Sequence, residues 1–227
     1  MNKKTLHFIR KFNVNLTHLI FPTICTICEN ELNDPRKSIC LFCEENLERT
    51  FFERYKESTP LDELFWGRIK IEATFSLFYF EKGKSVQKMV HALKYQHKSN
   101  VGLYLGEKIG ETIYSIEKFS TIDLLVPVPL HHKKKFIRGY NQSEIIAKGI
   151  AKKLNVKIDN NILKRNKNTK TQTKKNKLSR WESIQSLFEV SEIKNYKHIA
   201  IVDDVITTGS TLETIISLIN KKYPEIR

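Results

Sequence analysis

The chain has 227 residues, enough for one well-formed hydrophobic core and a small additional module. Hydrophobic residues make up 40% of the chain, which fits a globular α/β protein, and no apolar run reaches the length of a membrane span. The formal net charge is +14, which attracts polyanions such as nucleic acids and phosphorylated substrates. An abundance of Lys, Asn and Ile is also typical of AT-rich coding sequences, so the charge has a compositional explanation beside the functional one.

The first 21 residues are basic and partly apolar. Polar residues interrupt the apolar ones, whereas a signal peptide needs a continuous apolar segment of about 7–15 residues. We therefore interpret this segment as an amphipathic helix and expect a cytoplasmic protein.

The cysteines form two close pairs, Cys25-x-x-Cys28 and Cys40-x-x-Cys43, with eleven residues between the pairs. Two such pairs on a short hairpin suit a tetrahedral Zn²⁺ bound by four thiolates, and a closed site of this kind leaves no position for catalysis. A redox-active C-x-x-C motif and two disulfides are the alternatives. Redox motifs seldom occur doubled and disulfides are rare in the cytoplasm, so we expect a structural zinc site.

The chain after the cysteines changes from charged segments to regular α/β patterns. Residues 47–70 are interpreted as a helix followed by a connector, and residues 73–80, rich in β-branched and aromatic residues, predict a strand. Apolar residues then recur at helical spacing, which predicts helices over residues 86–95 and 103–113. We expect an N-terminal module at residues 1–70 and an α/β domain at residues 71–227.

A buried strand is predicted at residues 122–126, and it runs into Pro127-Val128-Pro129-Leu130. The prolines end the strand's hydrogen bonding and stiffen the turn. Residues 131–142 then predict a cationic loop. Such a loop faces the crevice where open α/β sheets bind ligands, so it could hold a diphosphate. The lysines at 133–135 also fit a simple solvated run, whereas Arg138 matches phosphate geometry better than Lys does.

Residues 141–154 predict a helix, and strands are expected near residues 156–158, 162–164 and 188–190. Residues 165–186 between them are polar and basic. A connection of this length is unusual in a compact domain, so we predict a mobile lid over a ligand site, and a disordered insertion without a role is the alternative. The lid residues of interest are Arg165, Thr169, Gln172 and Arg180.

The stretch from His198 to Leu212 reads H-I-A-I-V-D-D-V-I-T-T-G-S-T-L and carries the strongest functional signal. An apolar strand ends in Asp203 and Asp204, and a loop of small residues then opens a helix. The free N–H groups and the dipole at a helix start can bind a phosphate, and two carboxylates can accept hydrogen bonds from a vicinal diol. Together they suggest a ribose 5-phosphate. An ordinary capped helix is the alternative, but it does not explain the paired acids. The loop residues are Thr207, Thr208, Gly209, Ser210 and Thr211.

This stretch resembles the phosphoribosyl diphosphate (PRPP) binding motif of type I phosphoribosyltransferases. The cysteine pairs, H-A-L-K-Y at residues 91–95, V-P-V-P-L at residues 126–130 and R-G-Y-N-Q at residues 138–142 extend the resemblance to the ComF family, which is associated with natural competence. It implies an α/β fold, with a mostly parallel phosphoribosyltransferase-like sheet flanked by helices at residues 71–227 and a zinc-ribbon module at residues 1–70. Ser183 and Lys175 depart from the family pattern in the lid, and the family pattern continues into one more strand after the final helix, which this chain is expected to lack.

The resemblance also implies a function and a set of site residues. PRPP, bound with Mg²⁺, is expected to transfer its phosphoribosyl group to an unknown nitrogen acceptor, in a protein linked to DNA uptake and natural transformation. The alternative is a non-catalytic adaptor that binds single-stranded DNA and DNA-uptake proteins and uses PRPP as a ligand. The catalytic residues implied are Asp203, Asp204 and Arg138, and the PRPP-binding residues are these two acids, the loop Thr207–Thr211, Lys94, Pro129, Arg165 and Arg180.

Overall fold

The structure is a computed structural model that describes residues 22–165 and 187–227. The expected N-terminal amphipathic helix and the lid residues Thr169, Gln172 and Arg180 lie outside the described residues, as do Lys175 and Ser183. The helices are α1 (Leu41–Glu45), α2 (Pro60–Glu63), α3 (Ser85–Tyr95), α4 (Ser99–Ile113), α5 (His132–Arg138), α6 (Gln142–Leu154) and α7 (Ser210–Lys222), with 3₁₀ turns at Phe52–Arg54 and Glu117–Phe119. The strands are β1 (Leu124–Pro127), β2 (Lys157–Ile158), β3 (Leu163–Arg165), β4 (Phe188–Val190) and β5 (Ile199–Val202).

The central sheet has the order β2-β1-β5 with all strands parallel, and β3 and β4 form a separate antiparallel pair. Strand β1 is buried throughout, as expected for a strand covered on both faces. Its Leu125 packs with residues of α4 and α6 on one face, while Leu124 and Val126 pack with residues of α7 on the other. The predicted parallel sheet flanked by helices is confirmed.

The register of this sheet places the site. Pro127 at the end of β1 lies opposite Val202 at the end of β5. The residues that follow both strands therefore emerge at the same edge, where open α/β sheets bind their ligands.

Helices α4 and α6 approach each other backbone to backbone. A Cβ atom on Gly106 would lie 2.1 Å from the carbonyl oxygen of Ile146, and one on Gly149 would lie 2.5 Å from that of Leu103. Only glycine fits at these two positions. The close contact fixes α6, whose first turn faces the ligand edge of the sheet, on α4.

The cysteine module shares a core with the domain that follows it. Buried residues of the module, including Cys25 and Ile39, pack with Met89 of α3 and Leu105 of α4. Val205, the residue directly after the acid pair, packs against the same cluster. The module thus contacts both α3 and the loop after β5, and the division of the chain at residue 70 stays a prediction.

Three local predictions are wrong. Residues 73–80 form only an isolated bridge, between Phe78 and Arg49, because the partner segment runs alongside them at that point alone. The predicted helix within residues 47–70 is replaced by a 3₁₀ turn and the short α2, which begins with a capping box between Thr59 and Asp62. The expected cationic loop contains helix α5, which ends at Gly139 with φ of +74°.

The last residue lies beside the outer edge of β5. The Arg227 N–H donates to Lys197 O and the Ile199 N–H donates to Arg227 O, both at 2.8 Å. The Arg227 guanidinium pairs with Glu72 at 2.7 Å. Within residues 22–165 and 187–227, none of the helices combines the length and the apolar character that crossing a membrane requires.

Candidate functional site

The loop between β5 and α7 is shaped by Gly209. This residue is the N-cap of α7, with φ of +73°, a conformation that residues with a side chain rarely adopt. A Cβ atom here would also lie 2.7 Å from Cε1 of Phe65, which is fully buried beneath the loop. Gly209 is therefore required both for its backbone angle and for its lack of a side chain.

The start of α7 offers donors to an anion. The Glu213 N–H bonds to Gly209 O at 2.8 Å, so the N–H groups of Ser210, Thr211 and Leu212 precede the first intrahelical bond. Thr207, Thr208, Ser210 and Thr211 are exposed. Free N–H groups, hydroxyls and the positive end of a 13-residue helix together make this helix start chemically suited to bind an anion.

The acid pair is held by two helices. The Ser143 hydroxyl of α6 donates to Asp203 Oδ1 at 3.1 Å, and the Asp204 N–H donates to the same oxygen at 2.8 Å. Lys94, near the end of α3, forms an ion pair with Asp204. Asp203, Asp204 and Lys94 are thus brought together at the carboxyl end of β5, next to the loop that begins α7.

The electrostatics of the pair favour a proton on Asp203 below neutral pH. Burial and the neighbouring Asp204 charge raise the pKa of Asp203 to about 7, against the opposing effect of the donors from Asp204 and Ser143. Asp203 therefore carries its charge only above about pH 7, while Lys94 pairs with the neighbouring Asp204. Ionised carboxylates are acceptor-only groups, which suits a diol.

The other predicted site residues in the described part of the chain have contacts of their own. Arg138 donates to Gln142 Oε1 at 2.8 Å and its guanidinium lies 5.1 Å from the ring centre of Tyr95, the neighbour of Lys94. Pro129 follows β1 and is partly buried. Arg165, at the end of β3, instead lies over the ring of Phe188 at 5.5 Å. Arg180 lies outside the described residues.

The four cysteines form a second centre. Their sulfur atoms all lie within 4.8 Å of one another, and the sulfurs of Cys28 and Cys40 are 3.8 Å apart. Tetrahedral Zn²⁺ with bonds of about 2.3 Å places its sulfurs about 3.8 Å apart. Burial raises the pKa of the Cys25 thiol, but backbone N–H donors outweigh that effect and bring the pKa down to about 6. Burial and the neighbouring thiols instead raise the pKa of the Cys43 thiol. The cysteines are not disulfide-bonded, and the geometry of their sulfurs fits a four-sulfur zinc site.

Comparison with known proteins agrees with this geometry. Residues 141–227, which include α6, β5 and α7, match the family model described as phosphoribosyl transferase domain. The chain is 25% identical over 214 residues to Competence protein F of Haemophilus influenzae, covering 87% of this chain and 90% of that protein. It is 23% identical over 223 residues to DNA utilization protein YhgH of Escherichia coli K12, covering 88% and 92%. The resemblance to the ComF family is confirmed. No solved structure matches the chain significantly.

Several residues of this site lie outside the matched domain. Lys94, Phe65 and Arg68 all precede residue 141, yet Lys94 contacts Asp204, Phe65 packs under Gly209, and Arg68 pairs with Glu213 of α7. The sequence carries no local signal for Phe65 or Arg68, because their contacts join segments more than 140 positions apart. Ser143 has a weak signal, since it follows the R-G-Y-N-Q segment directly.

Gln142 is a further buried residue that the motif alone does not explain. It is 2% exposed, and its Oε1 accepts the hydrogen bond from Arg138. Its Nε2 is buried and has no hydrogen-bond partner among the residues that the structure describes. A buried amide of this kind holds Arg138 through its oxygen and leaves both N–H donors of Nε2 unpaired within the described part of the chain.

Proposed function

We propose that the protein binds PRPP with Mg²⁺ at the β5–α7 loop and transfers the phosphoribosyl group to a nitrogen acceptor. The observation that carries this proposal is the pairing of Asp203 and Asp204 with the free N–H groups of α7 at the two ends of one loop. A phosphate site alone would need only the helix start. The acid pair supplies acceptors for the ribose hydroxyls, and the phosphoribosyl transferase domain match agrees with such a ligand.

Different residues bind different chemical groups of PRPP. The 5-phosphate accepts from the N–H groups and hydroxyls of Thr207–Thr211, while Asp203 and Asp204 accept from the 2- and 3-hydroxyls. As a hydroxyl takes the place of Lys94 at Asp204, the ammonium becomes free to contact the diphosphate. Arg138 lies on the same side, since it packs against Tyr95 next to Lys94. Arg165 or Arg180 is the further predicted diphosphate contact, and Pro129 is a predicted PRPP contact.

The transfer itself breaks the bond between C1 and the diphosphate oxygen and forms a bond between C1 and the acceptor nitrogen. The bonding electrons leave with the diphosphate, and the acceptor loses a proton. Mg²⁺, held by diphosphate oxygens, water and neighbouring carboxylates, would neutralise the leaving group. The protein acts by positioning and by electrostatic stabilisation of the sugar cation and the departing diphosphate, without a covalent nucleophile.

The cysteine cluster is proposed to hold a structural zinc ion. Its buried residues pack on α3, which carries Lys94, and on Val205. A closed four-thiolate site has no open coordination position, so its role is to hold the module in shape. We also propose that the protein acts in the cytoplasm, where thiolates remain reduced.

Diphosphate release tests the enzymatic proposal. PRPP and Mg²⁺ are supplied with a panel of nucleobases and amines, and released diphosphate is measured with a coupled enzyme assay. Robust release with at least one acceptor, lost in an Asp203→Asn/Asp204→Asn double variant, is expected. Absence of release with every acceptor, despite measurable PRPP binding, would contradict turnover and leave ligand binding as the function.

Binding of single-stranded DNA is a second candidate function, and helix α5 favours it. This helix exposes three consecutive lysines together with Phe136 at 90% and Ile137 at 71% exposure. Cationic side chains that follow a phosphate backbone and exposed rings that stack on bases are typical of single-strand binding. Two of the similar proteins are named competence protein and DNA utilization protein, which agrees with a role in DNA uptake.

A fluorescent oligothymidine titration separates the two functions. The adaptor function predicts binding that weakens steeply with salt, because each phosphate contact releases counterions. This binding should persist in the Asp203→Asn/Asp204→Asn variant and fall in a Lys134→Gln/Phe136→Ser variant. Binding that is salt-insensitive, or unchanged in the α5 variant, would contradict this role.

A further inference from the structure

An ion pair connects the connector after α2 to the helix of the phosphate site. Glu213 lies in the first turn of α7, and its side chain is 11% exposed. Arg68 donates from one terminal nitrogen to Glu213 Oε2 and from the other to Leu64 O at 2.9 Å. The guanidinium is thus fixed at both ends, and it joins positions 145 residues apart.

The position of Glu213 matters because of what the helix start is expected to bind. A carboxylate in the first turn interacts favourably with the positive end of the helix, so it competes with a bound phosphate for the same field. One helical turn rises about 5.4 Å, so the phosphate and the carboxylate would lie within one turn of each other. The largely buried carboxylate is poorly screened by water, and its repulsion of the phosphate would be correspondingly strong.

The same short segment also supports the loop by packing. Phe65, three residues before Arg68, lies directly beneath Gly209. The segment is rigid, because the Asp62 carboxylate accepts from Thr59 N–H at 2.7 Å and from Thr74 N–H at 2.6 Å. Residues ahead of the matched domain therefore touch the phosphate loop through both packing and charge.

We propose that Arg68 is a positioning residue of the anion site, which neutralises Glu213 and so sets the affinity of the α7 N-terminus for a phosphate monoester. This inference rests on the proposed binding of a ribose 5-phosphate group at that helix start. It extends the site to the connector segment Leu64–Arg68. Loss of the Arg68 charge should weaken phosphate binding by about tenfold to a hundredfold, the range expected for a charge one helical turn away in partly buried surroundings.

The test is a calorimetric titration of the full chain with ribose 5-phosphate. Arg68→Met should weaken binding by about tenfold to a hundredfold. Glu213→Gln should bind ribose 5-phosphate as tightly as the unaltered chain or more tightly. The double variant Arg68→Met/Glu213→Gln should bind with an affinity within a few fold of that of the unaltered chain. Arg36→Met is the matched control, because it removes one guanidinium and one exposed ion pair, with Asp34, in the cysteine module. Thermal unfolding of every variant accompanies the titrations.

The outcomes separate this inference from the proposed function. If the unaltered chain does not bind ribose 5-phosphate, the proposed function fails. If it binds and Arg68→Met binds equally well, or the double variant stays as weak as Arg68→Met, the electrostatic role of Arg68 is overturned. If Arg68→Met fails to fold, the affinity of the Glu213→Gln variant still tests the inference, because weaker binding in that variant contradicts the role assigned to Arg68.

Discussion

Replacing Gly209 with alanine probes the contact between the connector and the β5–α7 loop. The substitution places a Cβ atom at φ of +73°, 2.7 and 2.8 Å from two ring carbons of Phe65 and 3.1 Å from Cδ2 of Leu64. Gly139 offers a matched comparison. Its φ is +74°, and a Cβ atom there would have no neighbour within 4 Å.

The two substitutions distinguish the cost of backbone strain from the cost of steric overlap. The left-handed backbone costs a residue with a side chain about 1–2 kcal/mol, and this cost applies at both positions. Overlap with a packed ring adds about 1–3 kcal/mol, and this cost applies at Gly209 alone. Gly209→Ala should therefore lower the free energy of unfolding by about 2–5 kcal/mol, and Gly139→Ala by about 1–2 kcal/mol.

Urea denaturation followed by circular dichroism measures both values under the same conditions. A Phe65→Leu background should shrink the difference between the two substitutions, because a smaller side chain leaves room for the new methyl group. Equal destabilisation by Gly209→Ala and Gly139→Ala would show that the loop does not rest on Phe65, and the connector's role in shaping the site would then be refuted.

Other predictions concern the acids, the cysteines and the helix pair. The raised pKa of Asp203 means that its contribution to stability is fully present below the unfolded value of about 4 and is lost as pH rises through about 7. Asp203→Asn should remove this pH dependence, at most about 4 kcal/mol, in unfolding measured from pH 4 to 8. Metal analysis should find one zinc per chain, and its removal by a chelator should lower stability by roughly 3 kcal/mol or more; no change would exclude a structural ion. Gly106→Ala should destabilise by about 3 kcal/mol in the same urea assay, because its Cβ would overlap Ile146 O, whereas Gly83→Ala, with open space around it, should cost only the backbone term.

Local patterns were enough to predict much of the fold. The helices over α3, α4 and α6 follow from apolar residues at helical spacing, and β5 follows from an apolar run that ends in two acids. The C-terminal end of strand β1 is marked by Pro127 and Pro129. Each of these signals lies within the element that it predicts.

The failures concern elements whose structure depends on distant partners. Residues 73–80 have strand composition, but a ladder needs a neighbour along its whole length, and Arg49 and Thr50 supply only one short contact. Helix α5 forms where lysines suggested a loop, since His131 caps it and Gly139 ends it. These outcomes depend on pairing and capping rather than on composition.

The candidate site likewise has a part that local sequence predicts and a part that depends on distant partners. The paired acids and the loop before α7 are contiguous in sequence, so a motif predicts them together. The contacts of Lys94 with Asp204 and of Arg68 with Glu213 join residues far apart in the chain. Such contacts cannot be predicted from local sequence patterns, because neither residue lies in a motif that contains the other.

A crystal structure of the chain with Mg²⁺ and PRPP would test the central proposal most directly. The proposal predicts the 5-phosphate within hydrogen-bond distance of the Ser210 and Thr211 N–H groups, and the two ribose hydroxyls on Asp203 and Asp204, with Lys94 moved from Asp204 towards the diphosphate. PRPP bound elsewhere, for example by the lysines of α5, or a ribose that leaves both acids uncontacted, would contradict it.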